Sequence, residues 1–170
     1  MEFKDVVKNR YACKKFSSKK VDRNSLNNIL EAGRLAPTAK NQQEQRIYVV
    51  ESAEGIEKID KLTPCRYGAQ TILMVCYDKD HTFTYPGQNY DSGVEDATIV
   101  ATHMMLAATD NLVDSCWVNY LDPDAVKKVF ELPESEEVVC FIMLGYADKG
   151  VGPLPNHSKR NNLEDSIKFI

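Results

Sequence analysis

The spacing of apolar residues changes repeatedly along the chain, and the changes predict helices interspersed with strands. Short apolar runs predict four strands, at residues 46–51, 71–77, 115–120 and 138–146. Helical spacing predicts five helices. Phe3, Val6 and Val7 mark a short first helix, the second runs from Asp22 to about Gly33, and the third carries Ile56, Ile59 and Leu62. A long fourth helix is predicted at about 91–109, and a fifth from Asp122-Pro123 to about Leu132. This alternation predicts an α+β domain with a central sheet flanked by helices, and it leaves strand order and direction open.

The long helix at 91–109 has an apolar face that is wide and built mostly from small residues. Its apolar positions are Val94, Ala97, Ala101, Met104, Met105 and Ala108. A helix that is apolar over such an arc belongs either at the centre of a core or at an interface between subunits. The pattern alone does not choose between these two positions.

Composition narrows the class of protein. With 170 residues, 43% of them hydrophobic and 27% charged, the chain predicts one globular domain spanning 1–170. The net charge of −4 argues against a nucleic-acid partner. No apolar run approaches the roughly 18 residues of a membrane span, and the N-terminal residues show no apolar signal region. We therefore expect a cytoplasmic protein without a membrane partner.

Cysteine and histidine are scattered in a way that predicts neither a disulfide framework nor a metal site. The five cysteines include no CxxC pair, and the three histidines show no ligand spacing. An odd number of isolated cysteines is typical of reduced thiols in a reducing compartment. We therefore expect no metal ion.

A basic segment near the N-terminus is the first candidate for ligand binding. If residues 10–16 run extended, alternate side chains share a face, with Arg10, Ala12, Lys14 and Phe16 on one side and Tyr11, Cys13 and Lys15 on the other. The two cations on the first face would be separated on that face by one small residue, Ala12, which leaves room for a ligand against the backbone. This arrangement suits a phosphate or another polyanion. A solvated basic surface loop is the alternative interpretation.

Two further segments carry polar groups in unusual settings. The segment 36–43, Ala-Pro-Thr-Ala-Lys-Asn-Gln-Gln, offers hydroxyl and carboxamide groups that both donate and accept, as a heterocycle with C=O and N–H edges requires. A polar connection between helix and strand explains it equally well. The chain after residue 150 is a tail with Lys159-Arg160 followed by spaced apolar residues, which favours docking on another surface, although a dibasic pair alone is a weak signal.

Taken in order, these segments resemble the nitroreductase family of FMN-dependent enzymes. The N-terminal segment is similar to that family's Arg-x-Ser-x-Arg/Lys-x-Phe signature, and 36–43 is similar to its Ala-Pro-Ser-x-x-Asn-x-Gln loop. Further matches follow at the start of the long helix, the next strand and the C-terminal part: Asp91-Ser92-Gly93, Ser115-Cys116-Trp117, and Leu144-Gly145-Tyr146 with Lys159-Arg160. The chain departs from the pattern at Ala12, at residues 110–114, and at Glu44-Gln45, where the family often has Pro-Trp.

The resemblance implies a nitroreductase-like fold with a central mixed sheet, and a homodimer with FMN sites at its interface. It also implies that the tail 150–170 docks on the partner subunit. The implied cofactor-binding residues are Arg10, Tyr11, Ala12, Lys14, Pro37, Thr38, Asn41, Gln43, Asn119, Tyr120, Lys159 and Arg160.

Each group has an implied role. Arg10, Lys14 and the Lys159-Arg160 pair would bind the phosphate or ribityl chain, with the backbone of Ala12. Thr38, Asn41 and Gln43 would contact the flavin, with Pro37-Thr38 serving the partner's site, and Asn119-Tyr120 would offer backbone groups to the ring.

The implied activity is a ping-pong cycle with NADH or NADPH as donor and a small-molecule acceptor such as a nitroaromatic, a quinone or an activated alkene. The chemistry would belong to the flavin, so no side chain is expected to be catalytic. An FMN-binding redox sensor or flavin carrier without turnover is one alternative. A specialised flavin-dependent dehydrogenase or deiodinase-like activity on one metabolite is another.

Overall fold

The computed structural model describes residues 1–87 and 89–170, and it contains five helices and four strands within them. The helices are α1 (Phe3–Asn9), α2 (Arg23–Arg34), α3 (Ala53–Leu62), α4 (Gly93–Asp110) and α5 (Pro123–Phe130). The strands are β1 (Gln45–Val50), β2 (Thr71–Asp78), β3 (Asp114–Val118) and β4 (Glu136–Gly145). Each predicted helix and strand is present, and the largest differences are at strand ends. The strand predicted at 115–120 ends at Val118, so its last two residues lie in the following loop.

Several helices begin where the sequence supplies a capping side chain. The Asp22 carboxylate accepts a hydrogen bond from the Ser25 backbone N–H at 2.9 Å, and the Asp122 side chain caps α5 ahead of Pro123 in the same way. Such caps satisfy backbone N–H groups that have no partner inside the helix. The sequence prediction of these two helix starts is confirmed.

The four strands form one sheet in the order β1-β2-β4-β3. All three strand pairs are antiparallel. The prediction of a mixed sheet is therefore wrong for these four strands. Among the described residues, the parallel pairing is an isolated bridge between Ala12 and Ser115. This bridge attaches the N-terminal segment to β3 at the edge of the sheet.

The sheet has a hydrophobic core on each face, because its side chains alternate between the two sides. Leu73 and Ile142 face α2 and α4, whereas Met74 and Phe141 pack with residues from α3, α5 and the N-terminal segment. The whole forms an α+β arrangement of two helical layers around the sheet. Among the described residues, no helix is both long and apolar enough to cross a membrane.

Helix α4 lies centrally against the sheet, with its small residues inward. Ala97, Ala101 and Ala108 are fully buried, whereas Val94 and Ile99 are exposed. At the start of the helix, Gly93 packs on Tyr77, and a Cβ atom there would lie 2.2 Å from the tyrosine ring. Glycine is therefore required at this position by close packing and not by its backbone angles.

Candidate cofactor site

The N-terminal basic segment lies between β3 and the loop before β2. The Cys13 backbone N–H donates to the Ser115 carbonyl at 2.9 Å, and the Phe16 N–H donates to the Tyr67 carbonyl at 2.8 Å. The chain bends at Lys14, between these two attachments. As a result, Cys13 and Phe16 are both buried, and the predicted alternation of faces is wrong beyond the bend.

Lys14 points toward two side chains that sequence reasoning did not connect with it. Its ammonium group donates to the Tyr67 hydroxyl and to the Cys116 sulfur, both at 3.3 Å. Partial burial opposes the charge, but these two neighbours outweigh it and raise the pKa of Lys14. Burial raises the pKa of the Cys116 thiol, although Lys14 acts in the opposite direction. Lys14 is therefore a positioned cation beside a neutral thiol at neutral pH.

Arg10 and Tyr11 follow directly after α1. Arg10 is half-buried at the end of this helix, where its backbone N–H donates to the Val6 carbonyl at 3.0 Å. Burial and the neighbouring Asp114 carboxylate raise the pKa of Tyr11. The Tyr11 ring meets the His157 ring edge-on, with 6.5 Å between centroids. This contact brings the beginning of the C-terminal tail next to the basic segment.

Lys159 and Arg160 lie just beyond this contact and are exposed. The Arg160 guanidinium donates to the carbonyl of Lys159 at 2.7 Å and also to that of His157. The end of the tail presents apolar side chains to solvent, and Phe169 is 99% exposed. The Tyr11–His157 contact therefore places the part of the tail that carries Lys159 and Arg160 next to the basic segment.

The 36–43 loop, defined as residues 36–43, has an uncommon backbone. Lys40, Asn41 and Gln43 have φ angles of 51°, 57° and 55°, in the left-handed region that residues other than glycine rarely adopt. The Thr38 hydroxyl accepts a hydrogen bond from the Gln43 N–H at 3.0 Å. Pro37, Asn41 and Gln43 are exposed. Clustered left-handed residues of this kind are typical of functional loops.

One attachment of this loop is made by a side chain from α4. The Ala39 N–H donates to both carboxylate oxygens of Asp96, at 3.0 and 3.1 Å. No sequence motif indicated this contact. Among the described residues, no hydrogen bond, ion pair or ring contact joins the 36–43 loop to the basic segment 10–16, so one chain presents the two predicted halves of the site separately.

Asn119 and Tyr120 lie in the loop after β3. The Asn119 side chain accepts from the Trp117 indole and donates to the Val139 carbonyl at 2.8 Å, so it stabilises the local turn. Tyr120 is 72% exposed. The Asn119 side chain therefore has a structural role, and the backbone of this residue is the part left for ligand binding.

The donor set fits FMN in chemical type. The cations Arg10, Lys14, Lys159 and Arg160 suit a phosphate, and the exposed carboxamides of the 36–43 loop suit the polar edge of a flavin. Among the described residues, no group of three His, Cys, Asp or Glu side chains is placed to hold a metal ion.

Comparison with known proteins agrees with this fold and donor set. The sequence model of the Nitroreductase family matches residues 7–66 and 64–146. The crystal structure of a nitroreductase family protein from Clostridium difficile 630 superposes with a TM-score of 0.93 and 35% sequence identity, covering 99% of this chain and 98% of that one. The fold is that of a nitroreductase-type oxidoreductase. The chain belongs to the nitroreductase family.

Two further relatives are more distant. A protein from Methanothermobacter thermautotrophicus, provisionally named NADH dehydrogenase/NAD(P)H nitroreductase, is 25% identical over 161 residues, which are 89% of this chain and 81% of the relative. An FMN-dependent nitroreductase from Clostridium difficile R20291 shares the fold, with a TM-score of 0.76, 24% identity and 96% of each chain covered.

Proposed function

We propose that this protein binds FMN and uses electrons from NADH or NADPH to reduce small acceptors such as nitroaromatics and quinones. Membership of the nitroreductase family supports an oxidoreductase, and relatives named as NAD(P)H nitroreductase and as FMN-dependent support the donor and the cofactor. The single observation that carries the proposal is the placement of Lys14, a cation of the basic segment that is held by Tyr67 and Cys116.

The proposed roles follow from the chemistry of each group. Arg10 and Lys14 bind the phosphate or ribityl chain, with the Ala12 backbone beside them, and Lys159 and Arg160 complete this basic pocket. When bound, FMN supplies hydride-transfer chemistry. Lys14 is protonated at neutral pH, and its neighbours raise its pKa above the ordinary value of a lysine, so it favours negative charge on a ligand that lies against it.

We propose further that the cofactor sites form in a homodimer. The 36–43 loop and the basic segment do not contact each other within the described part of one chain, which suits a site built from two subunits. Exposed apolar side chains provide the surface: Val94 and Ile99 on α4, and Ile167, Phe169 and Ile170 in the tail. In the dimer the tail 150–170 docks on the partner subunit, where burial of these side chains stabilises it.

An absorption spectrum of the purified protein is the first test. A yellow preparation with flavin maxima, or one that becomes so after reconstitution with FMN, supports the cofactor. Anaerobic bleaching by NADH or NADPH, followed by recovery on addition of a quinone or nitro compound, supports a reductase. A flavoprotein that does not bleach would instead be a redox sensor or carrier. A protein that cannot be reconstituted with FMN would refute the proposal.

The substitution Arg10→Ala tests the phosphate-binding role. Charge-assisted contacts contribute about 1.5–3 kcal/mol, so we expect the FMN dissociation constant to rise tenfold or more. The melting temperature should stay near that of the wild type, because Arg10 is half-buried at a helix end. Lys8→Ala, which removes an exposed cation from the same helix, is the matched control. Equal FMN affinity in Arg10→Ala and Lys8→Ala would contradict the role.

A further inference from the structure

Two carboxyl groups are buried side by side beneath the 36–43 loop. Glu44 follows the loop directly and is 1% exposed, and Asp96 lies in the first turn of α4 and is 4% exposed. Among the ion pairs of the described residues, none includes either of them. Two unpaired buried carboxylates would be unfavourable, because both desolvation and mutual repulsion oppose their charges.

One oxygen atom of the pair has no hydrogen-bond partner among the described residues. Asp96 accepts from the Ala39 N–H with both oxygens, and Glu44 Oε1 accepts from the Ser92 hydroxyl at 3.3 Å. Glu44 Oε2 is buried with no donor among the described residues. Ser92 connects the two acidic residues, because its hydroxyl donates to Glu44 and its carbonyl accepts from the Asp96 backbone N–H at 2.8 Å. A proton held between the two carboxyls would give Glu44 Oε2 a hydrogen-bond partner.

The environment of Glu44 favours its protonated form. Burial is the larger cause, and the adjacent Asp96 carboxylate adds to it, so that the pKa of Glu44 is raised to about 7. Below about pH 7, Glu44 therefore carries a proton in the folded protein.

Charged groups on the surrounding elements are engaged with other partners. The Lys40 ammonium lies 4.4 Å from the centroid of the Phe83 ring. Arg46 and His81 contact Asp78, and the Arg46 guanidinium also donates to the Gln43 and Gln45 carbonyls. Glu95 contacts the Tyr85 hydroxyl, and Asp91 accepts from the Gly93 N–H. His81 is a second ionisable group in contact with these neighbours, so any test must separate it from the pair.

We propose that Glu44 and Asp96 share one proton, and that the resulting hydrogen-bonded pair fastens the 36–43 loop to the start of α4. Glu44 is thus a positioning residue: it acts through Asp96, which holds Ala39 and with it the loop. Loss of the shared proton leaves two buried negative charges, which repel each other and loosen the Ala39 contact. The consequence for FMN binding rests on the proposed function, whereas the attachment of the loop does not.

Amide hydrogen exchange of Ala39, measured by NMR on the full chain without FMN, tests the attachment directly. After correction for the intrinsic exchange rate, we expect protection of this amide to fall tenfold or more between pH 5 and pH 7, and to change little above that range. Glu44→Gln retains a permanent N–H donor toward Asp96, so its Ala39 protection should not change with pH. Unchanged protection in the wild type, or the same fall in Glu44→Gln, would overturn the proposal.

Two control substitutions exclude other titrating groups. His81→Gln removes the nearby histidine, and Glu95→Gln removes an exposed carboxylate from the same helix turn as Asp96. Both should keep the wild-type pH dependence of Ala39 protection. If His81→Gln abolished it, the histidine and not the carboxyl pair would control the loop, and the proposal would be wrong.

Fluorescence titration with FMN tests the consequence for the cofactor. Between pH 6 and pH 8 we expect the affinity of the wild type for FMN to fall about tenfold relative to that of Glu44→Gln. The FMN phosphate ionises near pH 6, and comparing the two proteins at each pH removes this effect because both bind the same FMN. If FMN bound at neither pH, the proposed function would fail while the Ala39 result would still stand. If Ala39 protection fell but the relative affinity stayed constant, the pair would not position a cofactor-binding loop.

Discussion

The free energy of unfolding should fall by about 2 kcal/mol between pH 5 and pH 7 as a result of one buried side chain, Glu44. Its pKa is about 7 in the folded protein against an ordinary value of 4.5. Between these values the folded chain holds a proton that the unfolded chain has released, so raising the pH favours unfolding. One proton changes stability by at most about 1.4 kcal/mol per pH unit. Because ionisation is partial near each of the two pKa values, the total over this interval is about 2 kcal/mol.

Urea denaturation at fixed protein concentration, followed by the fluorescence of Trp117, measures this change. Trp117 is the one tryptophan of the chain and is half-buried in β3, so it reports on loss of the sheet. In Glu44→Gln the proton is replaced by a permanent donor, and the difference between the two proteins isolates Glu44 because histidine titrations occur in both. Carboxyls with a lowered pKa, such as Asp22 and Asp148, act at lower pH with the opposite sign.

The result that would refute this reasoning is a constant difference in stability between wild type and Glu44→Gln from pH 5 to pH 8. That outcome would mean that Glu44 ionises with an ordinary pKa in spite of its burial. A difference that grew in the other direction would mean that Glu44 is stabilised as an anion by a group outside the one chain, such as a cation from a second subunit. Repeating the series at several protein concentrations separates this effect from a change in subunit association.

Two further predictions concern packing. Gly93→Ala should lower the free energy of unfolding by about 1–3 kcal/mol, because its Cβ would lie 2.2 Å from the ring of Tyr77; stability equal to wild type would mean that the ring moves away at no cost. Phe141→Ala should cost about 3–5 kcal/mol, because Phe141 is the largest fully buried side chain. Denaturation at pH 6 measures both, and Phe130→Ala, at a half-buried site, should have a smaller effect than Phe141→Ala.

Local rules predicted much of the fold because its helices and strands have local causes. Asp22 and Asp122 were identifiable as caps from their position before an apolar helical pattern, and both cap in the structure. The small-residue pattern of α4 predicted a helix either at the centre of the core or at a subunit interface, and its alanines are buried in the core. The direction of the strands was not predictable, because pairing depends on contacts between segments far apart in sequence.

The environment of the basic segment depended on tertiary contacts in the same way. Alternation along residues 10–16 assumed a straight strand, but attachments on both sides bend the chain at Lys14. Tyr67 and Cys116 reach Lys14 from positions 53 and 102 residues away. Tyr67 belongs to no recognisable motif, and the Ser115-Cys116-Trp117 match did not indicate a contact with Lys14, so only the folded chain brings these side chains together.

Glu44 stands at a position where the resembled family pattern often has proline, and the backbone beside it explains why this chain tolerates the difference. Gln43 has a φ of 55°, whereas a residue before proline is restricted to extended conformations. The left-handed loop seen here is therefore compatible with Glu44 and incompatible with proline at that position. A proline would also stiffen the chain by fixing its own φ.

Without that stiffening, the loop must be held by other means. Its three left-handed residues cost about 1 kcal/mol or more each, and they persist because the surrounding structure fixes them. The Ala39–Asp96 hydrogen bonds provide one attachment, and the buried Glu44 carboxyl stabilises Asp96 when it carries a proton. The departure from the family pattern and the unusual loop are thus two parts of one arrangement, in which a hydrogen-bonded carboxyl pair takes over the role of a rigid residue and makes the loop sensitive to pH.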